Sequence, residues 1–385
     1  MSRFPRFHKT GKGSFFGDFV YDRVLKKDHF LVALQELFDW EGLCGDLIKL
    51  YKGKGLRGRP PYKPELTFKM LFLSYLYNVS ERQMEQLATY HLAVKWFLGL
   101  AVDEPAPDHS TLTKFKDRLV PGGNWDELES IFDGIIRQAL HQGLEMGDIQ
   151  LLDSVHTRSD VNYEKERERQ DQGKPPRDPD AQVVHKGRRS VVGPDGRRSV
   201  RKIWLRGYKT HSSINAKTGV ATSLIPAHGN TADNKAFVAL RGHDRSLGLP
   251  TTTYGGDRAY DDTDIHERLA QEGLHSGICL NDYRTHKKDP NKQRWIEMVA
   301  TPEYQAATAL RYRVEQPFGI AKKSHGFERC RYIGLPRYGI QSFLTFMVLN
   351  CKRMVKLLTG ITFRPQAKGR RAEVFRPVYA SLPWA

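Results

Sequence analysis

Three stretches hold carboxylates where they can work together: "LLDSVH" with Asp153, "TTTYGGDRAYDD" with Asp257, and "ALRYRVEQPFGIAKKSHGFERCRY" with Glu315. Asp153 and Asp257 each follow an apolar or β-branched run, and strand ends are where sites are assembled in a sheet flanked by helices. Gly255 and Gly256, just before Asp257, allow a ligand or neighbouring chain to approach the backbone closely. Arg311 and Lys322 fall within roughly 40° of Glu315 on a helical wheel, so two cations flank one anion in a stripe. A solvated salt-bridge face is one reading of that stripe. The other is chemical: three carboxylates from two strands and a helix offer hard oxygen ligands suited to magnesium. Two such ions roughly 3.5–4 Å apart activate an attacking oxygen and stabilise a leaving oxygen at a phosphate. On this reading Asp153 bridges both ions, Asp257 binds one and Glu315 the other. Arg311 and Lys322 then lie along the face that meets phosphate.

Composition points the same way. Across 385 residues, 61 Lys and Arg against 44 acidic residues leave a net charge of +17. A balance this basic calls for a polyanionic partner, most often nucleic acid, with an anionic membrane surface as the competing reading. No apolar run approaches the roughly 18 residues of a spanning helix, and "SFLTFMVLNC" stops at Lys352 and Arg353. The N-terminus has no apolar signal core. Cys44, Cys279, Cys330 and Cys351 form no Cys-x-x-Cys pair, which argues against a zinc ribbon or disulfide framework and fits a reducing cytosol.

The elements that must position these groups change character along the chain. Residues 1–60 are basic and end in "YKGKGLRGRPPYKPE", an exposed linker whose Arg57 and Arg59 are candidates for phosphate contact. In 65–100 the spacing of Leu66, Met70 and Leu73 predicts a helix, and Ser80 with Gln83 reads as a capping box opening a second. The pair resembles a helix-turn-helix, with packing or dimerisation as the alternative role. Ser110 or Thr111 is the expected cap of a basic helix carrying Lys114, and a further amphipathic helix is expected from about Glu127 to Gln142. The period then shifts to a buried strand ending at Asp153. Residues 160–203 are highly charged and nearly without large apolar side chains, so they read as an exposed insertion able to order on DNA. Two strands joined at Lys217-Thr218-Gly219 follow. Helix 231–242, strand 250–256, helix 261–272, strand 276–280, a polar loop to about Glu303 and a long helix through Glu315 complete the reading.

Taken in order, "GRPPYKPELTFKMLFLSYLYNVSERQMEQL", "PDHSTLTKF", "LLDSVHTRS", "GYKTH", "GDRAYDD" and "RYRVEQPFGIAKKSHGFERCRY" carry a resemblance. The chain resembles bacterial insertion-sequence transposases of the aspartate-aspartate-glutamate class, closest to the insertion-sequence-five family. That family's signature is Tyr, two residues, Arg, three residues, Glu, six residues, Lys. Arg311, Glu315 and Lys322 match its last three positions, whereas Thr308 stands at the first and Tyr312 is a turn out of register. The resemblance implies an α/β, RNase H-like mixed-sheet catalytic domain after an α-helical N-terminal domain. It places Asp153 on the first strand, Asp257 on the fourth and Glu315 on a later helix, with 160–203 inserted between the first two strands.

The expected organisation is therefore a basic segment to residue 60, a helical DNA-binding or assembly domain over 61–145, the catalytic domain over 146–360 and a tail from 361. The expected activity is transposition. It comprises binding of terminal inverted repeats, magnesium-dependent cleavage with manganese as a substitute, and joining of the 3′-hydroxyl to target DNA by a homodimer or larger homo-oligomer. A nuclease of the same fold and a catalytically silent DNA-binding regulator are the alternatives. Lys209 and His211 in "GYKTH", together with Lys323, are further candidate DNA contacts, with edge solvation the alternative for the first two. Asn230 in "AHGNTADNKAF" reads as a helix cap, and His156 as pointing away from Asp153. Trp40, Trp96, Trp204 and Trp295 are candidates for stacking on bases, with core packing favoured for Trp96.

Overall fold

The structure is a computed structural model that describes residues 7–8, 10–11, 15–51, 60–192, 198–285 and 289–364. Its first part is helical: α1 (Phe15–Val24), α2 (Phe30–Leu37), α3 (Trp40–Leu43), α4 (Pro64–Leu76), α5 (Glu81–Tyr90), α6 (Leu92–Phe97), α7 (His109–Leu119) and α8 (Asp126–His141). The Ser80–Gln83 capping box opens α5 as expected, with Gln83 N–H donating to Ser80 Oγ at 3.3 Å and Ser80 N–H to Gln83 Oε1 at 3.0 Å. The cap of α7 is Asp108, which accepts from Ser110 N–H at 2.7 Å, and neither Ser110 nor Thr111 caps it. A carboxylate one residue earlier reaches the unpaired first-turn donor better than a hydroxyl already inside the helix.

The sheet follows: β1 (Ile149–Arg158), β2 (Gln182–Val192), β3 (Arg198–Asn215), β4 (Ala221–His228), β5 (Thr253–Gly256) and β6 (His275–Ile278). β1 lies between β3, antiparallel, and β5, parallel; β6 extends the parallel edge and β4 pairs antiparallel with β3. Without β2 the order is β4–β3–β1–β5–β6, three antiparallel strands followed by two parallel to the first, the RNase H-like arrangement the resemblance implies. Between β1 and this part of β3 lies the expected insertion. It is more ordered than its composition indicated. It forms α9 (Tyr163–Asp171) and a ribbon in which β2 pairs with the first half of β3. Ladder hydrogen bonds need no apolar core, and Val183, Val192, Val200 and Trp204 stay exposed on it.

Helices α10 (Phe237–Ser246) and α11 (Thr263–Gln271) pack on one side of the sheet with Leu152 and Tyr254. The other side carries α13 (Pro302–Leu310), α14 (Glu315–His325) and α15 (Leu335–Thr359), while α12 (Lys292–Ala300) packs against α13 and sets Trp295 beside His266 of α11. α12 thus occupies part of the expected polar loop, and the expected long helix is broken by a 3-10 turn over Arg311–Val314. "SFLTFMVLNC" lies inside α15, buried from Tyr338 to Cys351. One apolar cluster joins Trp40, Phe72 and Ile131 of the helices to Leu151, Val155 and Tyr208 of the sheet and Phe343 of α15, so the core is continuous across residue 146. No helix among the described residues is long and apolar enough to cross a membrane.

Candidate active site at the strand ends

The parallel ladder pairs Ile149 with Thr253 through Leu152 with Gly256. The residue after Leu152 and the residue after Gly256 are both aspartates, so the register sets Asp153 beside Asp257, on chain segments about 4.8 Å apart. Asp257 follows the last residue of β5, but Asp153 lies midway along β1, which pairs with β3 on to Arg158 and does not end at the carboxylate as expected. Asp153 Oδ1 accepts from Ser154 N–H at 2.6 Å, and Asp257 accepts from Ala259 N–H at 3.0 Å, capping the turn that carries the chain off the sheet. Both are half-buried. Burial, followed by the charges of Asp257 and Asp233, pushes Asp153 up to about 6 against the pull of Ser154 N–H and Arg311. Asp257 is raised as well, by burial and Asp233, with Arg311 and Lys209 opposing.

The glycines act through packing. A Cβ on Gly277 would stand 2.2 Å from Ala307 Cβ of α13, and one on Gly255 would stand 3.3 Å from it. Bare backbone on β5 and β6 therefore lets α13 lie flush on the strands, and its end delivers Arg311 to the electrostatic neighbourhood of both aspartates. Glu315 then opens α14, exposed; its N–H donates to Tyr312 O, and its carboxylate makes no hydrogen bond or ion pair with the described residues. The stripe of Arg311, Glu315 and Lys322 is thus split between a 3-10 turn and a helix. Arg311 faces the aspartates, and Lys322, exposed on α14, comes within electrostatic reach of His156 on β1. Tyr312 is 62% exposed.

A third carboxylate, Asp233, joins from the turn after β4. Lys209 Nζ donates to Asp233 Oδ1 and Oδ2 at 3.1 and 3.3 Å and to Thr231 O at 2.9 Å. His211 Nδ1 lies 3.1 Å from Asp233 Oδ1 but off the hydrogen-bonding axis, leaving both ring nitrogens without an aligned partner. Burial pushes Asp233 up, but His211, Ser154 and Lys209 outweigh it and hold the carboxyl well below the usual range. Lys209 and His211 are buried, so their place is beneath the site and not along an open strand edge. His156, register partner of Lys209, is buried and pushed down to about 3 by burial and by Lys186 and Lys209. The Tyr260 phenol, raised well above its ordinary value by burial and then by Asp233, Asp153 and Asp257, has no hydrogen-bond partner.

Sequence reasoning missed Asp233 and Tyr260 as site neighbours. The signal for Asp233 was its place just past a strand, the feature that drew attention to Asp153. Asn230 is exposed and caps nothing: the turn at Asp233 has no side-chain cap. Lys114 and Lys323 are exposed on α7 and α14, whereas Arg57 and Arg59 lie outside the described residues. Trp40 and Trp295 are buried, Trp96 packs against the core, and Trp204 is 59% exposed.

Two half-buried carboxylates, both raised chiefly by burial and by the charge of a neighbouring carboxylate, suit a hard divalent cation, which stabilises their charged forms. Glu315 does not complete a closed cage: among the described residues one trio of ligand atoms lies within 4.8 Å, that of Glu85, Asp108 and His109. This trio is a helix joint, in which His109 meets Glu85 at 2.8 Å while Asp108 caps α7. A cleft of about 640 Å³ lined by Gln35, Asp39, Glu65 and His141 shares no residue with the strand ends.

Two family models match the chain: "Transposase domain (DUF772)" over residues 19–118 and "Transposase DDE domain" over 158–351. A cryo-EM structure of piggyBac transposase in a synaptic complex with hairpin DNA matches with a TM-score of 0.39 and 10% identity, covering 87% of this chain and 74% of that one. A score at that level does not by itself establish a shared fold.

Proposed function

The chain belongs to the DDE-domain transposases, and from that premise we propose that Asp153, Asp257 and Glu315 are the three carboxylates of its catalytic site. The protein is a DNA transposase, an enzyme that cuts DNA and transfers strands. The observation that supports the residue assignment is the β1–β5 register, in which Asp153, midway along β1, stands beside Asp257, the residue after β5. Asp153 and Asp257 would hold magnesium, with manganese able to replace it, and Glu315 at the start of α14 would add a ligand as DNA fills the site. The bound ions supply activation of the attacking oxygen and stabilisation of the leaving one.

The chain's own groups do the rest. Arg311 offsets part of the charge of the aspartates before DNA arrives. Exposed Lys322 and Lys323 on α14 meet the phosphate backbone, with Lys114, and Arg57 and Arg59 outside the described residues, as additional phosphate contacts. Lys209 and His211, being buried, act on DNA by fixing Asp233 beneath the site. The substrates are the terminal inverted repeats of the element and a target duplex, handled by a homodimer or larger assembly in the bacterial cytoplasm at the nucleoid.

Nicking of supercoiled plasmid with magnesium tests the assignment. Asp153→Asn should abolish nicking while duplex binding in EDTA stays near wild type; near-normal nicking by this variant rejects the assignment.

A further inference from the structure

Strand β2 leaves its ladder between His185, opposite Trp204, and Arg188, opposite Lys202. Lys186 and Gly187 thus face one residue, Ile203, across the ribbon, which makes a β-bulge. Gly187 has φ +108°, in the region that favours glycine. Bulges bend the strand and re-aim a side chain, and they concentrate beside active sites. On a straight ribbon Lys186, level with Ile203, would stand six residues from Lys209, roughly 20 Å at about 3.3 Å per residue. Instead its ammonium is in the electrostatic neighbourhood of Lys209, Asp233, Lys322 and Asp153. The ribbon therefore bends at the bulge so that the Lys186 ammonium comes near the groups around Asp153.

Three ammoniums from three elements gather there. Lys209 spends its donors on Thr231 and Asp233. Lys186 and Lys322 are exposed and have no ion pair or hydrogen bond with the described residues. His156, 6% exposed and with its Nδ1 unpartnered, is within electrostatic reach of all three. Unneutralised cations held together repel, and an arriving anion relieves that repulsion. A lysine ammonium is a suitable point charge for a phosphate oxygen.

We propose that Lys186, turned inward by the Lys186–Gly187 bulge, joins Lys322 to hold a phosphodiester of bound DNA beside Asp153 and Asp257. The inference rests on the carboxylate assignment above and adds to it a residue of the insertion.

Binding of a labelled random-sequence duplex to the full chain, measured in EDTA over a range of salt, tests this together with plasmid nicking in manganese. Lys186→Ala should make the slope of log K against log salt shallower by about 0.9, the loss of one phosphate contact, and Lys186→Arg should restore it. Gly187→Ala keeps the charge but strains the bulge, so it should lose nicking as Lys186→Ala does. Wild-type slope and nicking in Lys186→Ala overturn the proposal. So does an equal effect of Arg189→Ala, which would reduce Lys186 to ordinary ribbon charge. The slope is read without metal, so it decides on Lys186 even if Asp153→Asn still nicks and the carboxylate assignment fails.

Discussion

Leu152 and Gly256 are partners in the parallel β1–β5 ladder, and the residue after each is an aspartate. Asp153 and Asp257 therefore meet because of strand register, although 103 positions separate them in the sequence (257 − 153 = 104, less one). Each shift of one residue in that register would send one carboxylate to the opposite side of the sheet.

The burial of Asp153, with the charges of Asp257 and Asp233 added to it, has a pH signature. Asp153 is raised from 3.8 to about 6 in the fold, so its protonated form is favoured there. The stability this brings is complete below about pH 4 and is lost as pH rises through about 6. In EDTA at pH 8, Asp153→Asn should be more stable than wild type by on the order of 2 kcal/mol, with no gain at pH 4. Urea denaturation at the two pH values checks this, and manganese should narrow the gap by stabilising wild type. A variant less stable at both pH values contradicts it.

Glu315 separates stability from activity. It is exposed and unpaired, so Glu315→Gln should leave urea stability within about 0.5 kcal/mol of wild type yet abolish nicking as Asp257→Asn does. Nicking above a tenth of the wild-type rate would remove Glu315 from the catalytic set.

The Lys209–Asp233 pair is buried and shares its carboxylate with His211. Lys209→Met removes the cation from Asp233, leaving it with Ser154 and the weakly aligned His211, and should cost about 3–5 kcal/mol. Lys209→Met combined with Asp233→Asn should recover most of that loss. Additive losses would mean the two side chains do not act as a pair.

Gly277 is a test of how α13 delivers Arg311. Its added methyl in Gly277→Ala meets Ala307 Cβ at 2.2 Å, so the helix must shift, at about 1–3 kcal/mol. Nicking should fall, and Ala307→Gly in the same chain should restore both quantities. Failure of that rescue would show that the strand glycines do not set the position of α13.

Much of the site was legible in sequence because it was written locally. Asp153 and Asp257 follow short apolar runs, and Ser80 with Gln83 announces the start of a helix within four residues. Within "GDRAYDD" the sequence singled out Asp257 and said nothing of the other two acids. The fold shows what occupies them: Asp261 is tied to Asn281 N–H, His266 and Arg284, and Asp262 caps α11. The stripe at Glu315 presumed an unbroken helix, and the 3-10 turn before it decides which cation faces which partner. Composition described the insertion correctly as unable to build a core. It was silent on the ribbon, whose order comes from pairing with an extension of β3.

The sequence by itself determined the basic charge, most helical and strand segments and that Asp257 follows a strand, because periodicity, caps and turns act over a few residues; that β1 runs on past Asp153 to Arg158 came from its pairing with β3. Tertiary structure alone decided that Asp233 lies beside Asp153, that Lys209 and His211 are buried, and that a bulge turns Lys186 inward. Those outcomes depend on sheet register and chain closure between distant segments, whose energy is collected only when the whole sheet has formed.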